Sequence, residues 1–272
     1  MDQRSYVAKV LKTFNMNQSK AVLTPMAQHF KFSHQHSPQT KEEATYMKKV
    51  PYANAVGSIM YLMICPRPNL AYAMSLVSRY MGKSRKVHWE ALKWIFRYRK
   101  GMCKAELLYA KHESSMDDVV GFVDSNYVGC LDTKRLLIGY MFKFCCNTVS
   151  WKGNLQHVVS LSINEAEFIA LAEAIKEAVW MKGMAMSVHT KVKDAKVYYD
   201  SQSGIHLAKN QTYHERTKHI DVKLHFVREV IANGEVVVAK IHTEDNPMGT
   251  LIKALPRPKF KHCVQIMKVE RA

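Results

Sequence analysis

The stretch Ile163-Asn164-Glu165-Ala166-Glu167-Phe168-Ile169-Ala170-Leu171-Ala172-Glu173-Ala174 decides how this chain is read. It consists of strong helix formers. Its apolar residues Phe168, Leu171, Ala172, Ile175 and Val179 recur at the spacing of one buried helix face. Glu167 stands where that face begins. On either side lies an apolar run ending on an aspartate: Val119-Val120-Gly121-Phe122-Val123-Asp124 upstream and Val197-Tyr198-Tyr199-Asp200 downstream. Two strands ending on Asp, with a helix carrying Glu between them, bring three carboxylates towards one place. Like charges that close repel, and a divalent cation is the usual reason to tolerate the repulsion.

Working outward, the strand and helix signals follow one another in an α/β layered order. Leu107 to Tyr109 and Val119 to Val123 read as strands. Ile138 to Phe144 and Thr148 to Trp151 read as a hairpin joined through Cys145-Cys146-Asn147. The helix runs to about Met184. A strand follows at Lys196 to Tyr199 and a short helix at Ser203 to Lys209. Lys218-His219-Ile220-Asp221 opens a longer helix, which Asn233-Gly234 closes. Glu235 to Ile241 is a last strand, and Pro247 favours a helix start. No internal repeat is visible.

The first hundred residues differ in texture. Residues 5–14 form an amphipathic helix with Ser5 as cap, and the N-terminal segment is taken as 1–23. Residues 24–50 read as a polar linker. The pair His34 and His36 lacks a third ligand at matching spacing and is read as part of it. Residues 51–103 are helical, with Pro66-Arg67-Pro68 dividing two helices. In the last of these helices Leu92, Ile95 and Phe96 make the buried stripe. Lys93, Arg97 and Lys100 line an exposed face suited to a phosphate backbone. A plain solvated face is the other reading.

Charge points the same way. Forty Lys and Arg against 23 Asp and Glu give a formal net charge of +17, with a pI near 9.6. That balance favours a polyanionic partner, nucleic acid before membrane. Six cysteines show no C-x-x-C pair, so free thiols in a reducing compartment are expected, cytoplasmic or nuclear. No signal peptide or membrane-length apolar run is evident.

With these pieces in order, the sequence resembles the C-terminal part of copia-type retrotransposon Pol polyproteins. The likeness runs through Thr24-Pro25, Val50-Pro51-Tyr52-Ala53, Ala55-Val56-Gly57-Ser58, Pro66-Arg67-Pro68 and His88-Trp89-Glu90-Ala91. It continues in Gly139-Tyr140, Val149-Ser150-Trp151, Glu165-Ala166-Glu167-Phe168 and Asp200-Ser201-Gln202-Ser203. It ends in Arg216-Thr217-Lys218-His219-Ile220-Asp221, His225 to Glu229, Thr243-Glu244-Asp245-Asn246-Pro247 and Leu255-Pro256.

The resemblance implies a reverse transcriptase connection remnant at 51–103 and a ribonuclease H-like domain at 105–272. That domain is expected to be a mixed five-stranded sheet with flanking helices, preceded by the mostly helical segment. The upstream reverse transcriptase region, with its palm, lies outside this sequence. No Tyr-x-Asp-Asp occurs, so no polymerase activity is expected.

The family cleaves RNA in RNA/DNA hybrids with two Mg2+ or Mn2+ ions held by four acids. By resemblance, the first three acids map to Asp124, Glu167 and Asp200, with Glu165 the less suitable neighbour. The fourth maps to Gly249 in Asn246-Pro247-Met248-Gly249, which has no side chain to offer. Lys152, Lys209, Arg216, Lys218 and His219 are the expected substrate-facing residues. His219 is read as a cap or phosphate contact before a catalytic base. Three functions follow from this: a weakened hybrid nuclease, a non-catalytic RNA/DNA-binding module, or a decayed element fragment.

Overall fold

The computed structural model describes residues 4–30, 32, 40–64, 67–110, 119–126, 135–156, 159–160, 162–188, 192, 195–209 and 221–271. In chain order the elements are α1 (Arg4–Thr13), α2 (Lys41–Lys48), α3 (Tyr52–Ile64), α4 (Ala71–Val77), α5 (Lys86–Gly101) and β1 (Ala105–Leu107). Then come β2 (Val119–Asn126), β3 (Leu137–Phe144), β4 (Asn147–Leu155), α6 (Ile163–Val188), β5 (Ala195–Tyr199) and α7 (Gln202–Lys209). The last are α8 (Asp221–Ala232), β6 (Val236–Lys240), α9 (Gly249–Ile252), α10 (Arg257–Ile266) and β7 (Val269–Arg271). They fall into two compact units, Tyr109–Ile252 and Met1–Leu108 with Lys253–Ala272.

The Tyr109–Ile252 unit is built on a five-stranded sheet in the order β4-β3-β2-β5-β6. β2, β3 and β4 are antiparallel neighbours, whereas β2, β5 and β6 run parallel. A hairpin suffices for the antiparallel pairs, but each parallel pair needs a crossover, and α6 and then α7 with α8 lie in those connections. α6 buries Phe168, Ala170, Leu171, Ala172, Ala174 and Ile175 against Val119, Val123, Val197 and Val238. Burying one Phe or Leu contributes roughly 1.5–3 kcal/mol, so this helix face fixes the unit. This is the mixed five-stranded α/β sheet with flanking helices that the sequence implies.

Local chemistry sets several details. The β3–β4 turn is Cys145–Cys146, with φ of 46° and 61°. Two consecutive positive φ values match the twist of a two-residue hairpin but strain non-glycine residues by about 1–2 kcal/mol each. Asn147 begins β4, and its Nδ2 donates to Cys145 O at 3.0 Å. Gly121 leaves room for the Phe142 ring, which a Cβ would meet at 2.3 Å. α6 is capped where Ser162 Oγ accepts the Glu165 N–H at 3.2 Å, and it runs to Val188 rather than stopping near Met184.

The other unit is mainly helical. α3 buries Ala55, Val56, Ile59 and Leu62, and the Tyr52 hydroxyl donates to Val77 O at 2.8 Å. α5 buries Ala91, Leu92, Ile95 and Phe96, the stripe expected from the sequence.

Several expectations change. The strand expected at Leu107 to Tyr109 lies at Ala105–Leu107 and pairs antiparallel with β7, outside the five-stranded sheet. Its edge finds a partner only when residues 269–271 return to it, a long-range pairing that no local pattern announces. Residues 253–272 accordingly group with the N-terminal residues, whereas the sequence reading placed them in 105–272. Within the linker read at 24–50, α2 forms because Thr40 Oγ1 accepts the Glu43 N–H at 3.2 Å. His34 and His36 lie outside the described residues. The helix expected at Pro247 begins at Gly249.

Candidate active site at the carboxyl ends of β2 and β5

Asp124 and Asp200 stand on the two central parallel strands. Register pairs Val123 with Tyr199, so each aspartate follows a paired residue at the carboxyl end of its strand. Glu167 stands just beyond the first turn of α6, the helix packed over both strands. Asp124 is buried, and its Oδ1 accepts the Ser125 N–H at 2.7 Å. Glu167 Oε2 accepts the Ser201 hydroxyl in a short hydrogen bond and the Ser203 hydroxyl at 3.0 Å. The two serine oxygens are 3.0 Å apart, and Gly204 N donates to Ser201 Oγ at 3.1 Å. The loop after Asp200 therefore holds Glu167 in place. Glu165 is buried, and two residues of helical rotation turn it away from Glu167.

Tyr199 ties the acids together. Its side chain is 1% exposed, and its hydroxyl has no hydrogen-bond partner in the described structure. Burial holds that hydroxyl well above the ordinary tyrosine range. Negative charge on Glu167, Asp124 and Asp200 pushes it further, and Ser125 opposes the shift without reaching hydrogen-bond geometry. All three carboxylates thus act on one buried oxygen. Gly204 makes space for the ring, since a Cβ there would meet Tyr199 Cε1 at 2.7 Å.

Residues 246–249, where the resemblance puts the fourth acid, are anchored at the same strand end. Asn246 Nδ2 donates to Val123 O at 2.9 Å, and Met248 N donates to Asn246 Oδ1 at 3.1 Å. Asn126 Nδ2 donates to Ile252 O at 3.0 Å. Gly139, paired with Asp124 across the sheet, admits α9 closely, because a Cβ would meet Ile252 Cγ2 at 2.8 Å and Leu251 Cβ at 3.1 Å. Gly249 is buried at the start of α9, so the backbone is placed and the side chain is missing.

The donor chemistry suits a hard cation, because carboxylate oxygens are the ligands of magnesium and manganese. The spacing fits less well. Among the described residues, no three His, Cys, Asp or Glu side chains are gathered closely enough to hold one ion. Glu167 is occupied by two serines instead, and binding a cation would have to compete with those bonds.

The basic residues divide. Arg97 Nε donates to Lys20 O at 2.7 Å, Lys100 Nζ to Ser19 O at 2.8 Å, and the Arg97 guanidinium lies 5.0 Å from the Trp94 ring centroid. These side chains and Lys93 are half-buried, so the face expected to be open is partly spent on fastening residues 19 and 20. Lys152 Nζ lies 3.9 Å from Glu173 Oε2 and 5.8 Å from the Tyr140 ring centroid. Lys209 is exposed at the end of α7. Arg216, Lys218 and His219 lie outside the described residues. Sequence reasoning assigned no role to Tyr199, Ser201 or Ser203. The Asp200-Ser201-Gln202-Ser203 run was visible, but that its hydroxyls reach Glu167 depends on the α6–α7 packing.

No family model matches the chain. It is 42% identical over 267 residues to the retrovirus-related Pol polyprotein from transposon TNT 1-94 of Nicotiana tabacum, covering 98% of this chain and 20% of that protein. It is 30% identical over 263 residues to the corresponding protein from transposon RE2 of Arabidopsis thaliana, covering 96% of this chain and 17% of that one. The chain thus spans about a fifth of the length of these relatives. Among solved structures, LC11-RNase H1 isolated from compost aligns with 50% of this chain and 94% of its own, at 16% identity and a TM-score of 0.38. Along nearly its whole length this chain is similar to copia-type retrotransposon Pol polyproteins, and its mixed five-stranded sheet with flanking helices agrees with the α/β fold expected from the sequence.

Proposed function

We propose that the Tyr109–Ile252 unit is a metal-dependent endonuclease for the RNA strand of RNA/DNA hybrids, weakened by Gly249. The observation that carries this reading is the placement of Asp124 and Asp200 directly after the paired residues Val123 and Tyr199 of adjacent parallel strands, with Glu167 on the helix packed over them. In this reading the three carboxylates are the ligands for Mg2+ or Mn2+, which when bound supplies activated water and stabilises the leaving oxygen. Asp124 and Asp200 stand at the ends of rigid strands, and Ser201 and Ser203 orient Glu167 until a cation recruits it. With glycine at 249, one carboxylate fewer holds the attacking side, so the rate falls. Hybrid binding relies on basic side chains such as Lys209 and on shape, which Gly249 leaves intact. The proposed setting is inside the cell, cytoplasmic or nuclear, where hybrids form.

The test is cleavage of a labelled RNA/DNA hybrid in Mg2+ or Mn2+. Slow cutting, raised at least ~10-fold by Gly249→Asp, is expected because losing even an outer partner of a metal ligand costs about 10–100-fold. Full-rate cutting by the natural chain would refute the weakening.

A second reading is a non-catalytic hybrid-binding module, favoured by the absence of a three-ligand cluster among the described residues. It predicts binding that falls steeply with salt, and no cutting even after Gly249→Asp.

A further inference from the structure

The unit formed by Met1–Leu108 and Lys253–Ala272 buries two arginines in one cluster. Arg67 is 2% exposed and Arg99 is 1% exposed. Arg67 Nε and Nη1 and Arg99 Nε and Nη2 are all shielded from solvent with no hydrogen-bond partner among the described residues. Arg99 Nη1 makes one long bond, to Met102 O at 3.4 Å. Beside them Asn69 Nδ2 is bonded to the Tyr98 hydroxyl, while Asn69 Oδ1 is buried and unpaired.

The charges facing this cluster do not neutralise it. Each guanidinium feels Tyr98 and Cys103, and Arg99 feels the like charge of Arg67. Glu106 acts on Arg67 but is bonded to Arg4 at 3.3 Å. Burial first, and the neighbouring Arg67 next, push Arg99 down to about 10, which still leaves it charged at neutral pH. A buried cation without a partner costs several kcal/mol, and a guanidinium cannot escape that cost by losing its proton.

We infer that Arg67 and Arg99 form an internal binding site for a small free oxyanion of the phosphate or sulfate class. Nε and Nη2 of Arg99 are the edge of the guanidinium that takes two oxygens of one oxyanion, and Arg67 supplies two further donors. Four directed donors suit a multi-oxygen anion better than chloride. A nucleic-acid backbone cannot reach side chains this buried. Tyr98, whose hydroxyl is bonded to Asn69, also lines a cavity of about 560 Å³ with the cationic residues Arg257 and Lys261 in its wall.

The experiment uses the full chain and inorganic phosphate at constant ionic strength. Phosphate should raise the melting temperature saturably, by several degrees. It should also shift the Arg67 and Arg99 Nε–H signals in 15N NMR spectra. Arg99→Met removes the fork, and Asn69→Asp supplies a built-in carboxylate. Each should raise the melting temperature without phosphate and abolish most of the phosphate response. Where a variant does not fold, the Nε–H shifts of the natural chain decide. An equal, non-saturating response in all three proteins would mean surface screening and overturn the site. So would guanidinium signals that ignore phosphate.

Discussion

The two units bury opposite charges and treat them differently. In the Tyr109–Ile252 unit, Asp124 accepts a backbone N–H, Glu167 on α6 accepts two serine hydroxyls, and both aspartates follow paired residues of the parallel strands β2 and β5. In the other unit, Arg67 and Arg99 are buried deeper, yet four of their donor nitrogens have nothing to bond. The acids are satisfied by the polypeptide and stay available to a cation. The arginines are not satisfied by it. In a chain of net charge +17, Asp124 and Glu167 are held by local amide and hydroxyl donors, whereas the guanidinium pair needs something from outside.

The contrast gives five measurements, from the largest expected effect to the smallest. Phe168→Ala should cost about 3–5 kcal/mol in urea unfolding, because it empties the centre of the platform beneath the acids. A small loss would mean that the α6 face is not what holds the carboxylates. Asp124→Asn should lower hybrid cleavage by at least ~100-fold, since even outer partners of metal ligands cost 10–100-fold. Unchanged cleavage by Asp124→Asn would break the contrast, because the satisfied acids would then have no function.

Arg99→Met should gain about 1–4 kcal/mol in phosphate-free buffer, as replacing buried charge by well-packed apolar volume does elsewhere. A loss instead would show that the arginine is satisfied in solution. Gly139→Ala should cost roughly 1–3 kcal/mol, by wedging α9 away from β3.

Tyr199→Phe is the smallest change. It removes a buried, unbonded hydroxyl and should be within about 1 kcal/mol of neutral near pH 7. Its signature is pH dependence. The Tyr199 hydroxyl is held well above its unfolded value, so the folded state keeps that proton longer than the unfolded state does. Its contribution is complete below the ordinary tyrosine pKa of about 10 and is lost as pH rises towards the folded value. Tyr199→Phe should flatten the alkaline fall in stability measured above pH ~10, and an unchanged slope would detach Tyr199 from the acids.

Much of this was legible in the residues. The period of Phe168, Leu171, Ala172 and Ile175 marks a helix with one buried face, and Val119 to Asp124 and Val197 to Asp200 mark strands. Those patterns are local, because burial imposes a repeat of 3.6 or 2 residues on any sequence that obeys it. The glycine at 249, where the resemblance expects an acid, was equally plain. What the sequence concealed depends on distant pairings. β1 joins β7 across more than 150 residues, as in Ala105 with Arg271. Ser201 and Ser203 reach Glu167 from another element, and Arg97 and Lys100 turn from a presumed open face to the carbonyls of residues 19 and 20.

By itself the sequence determined the element types of the mixed sheet, the likeness to retrotransposon Pol polyproteins, and the glycine at 249, since each is written in neighbouring residues or in their order. Only the tertiary structure decided which charges were satisfied. A hydrogen bond depends on two atoms meeting within about 3 Å at the right angle, and that meeting is settled by packing between elements far apart in the chain.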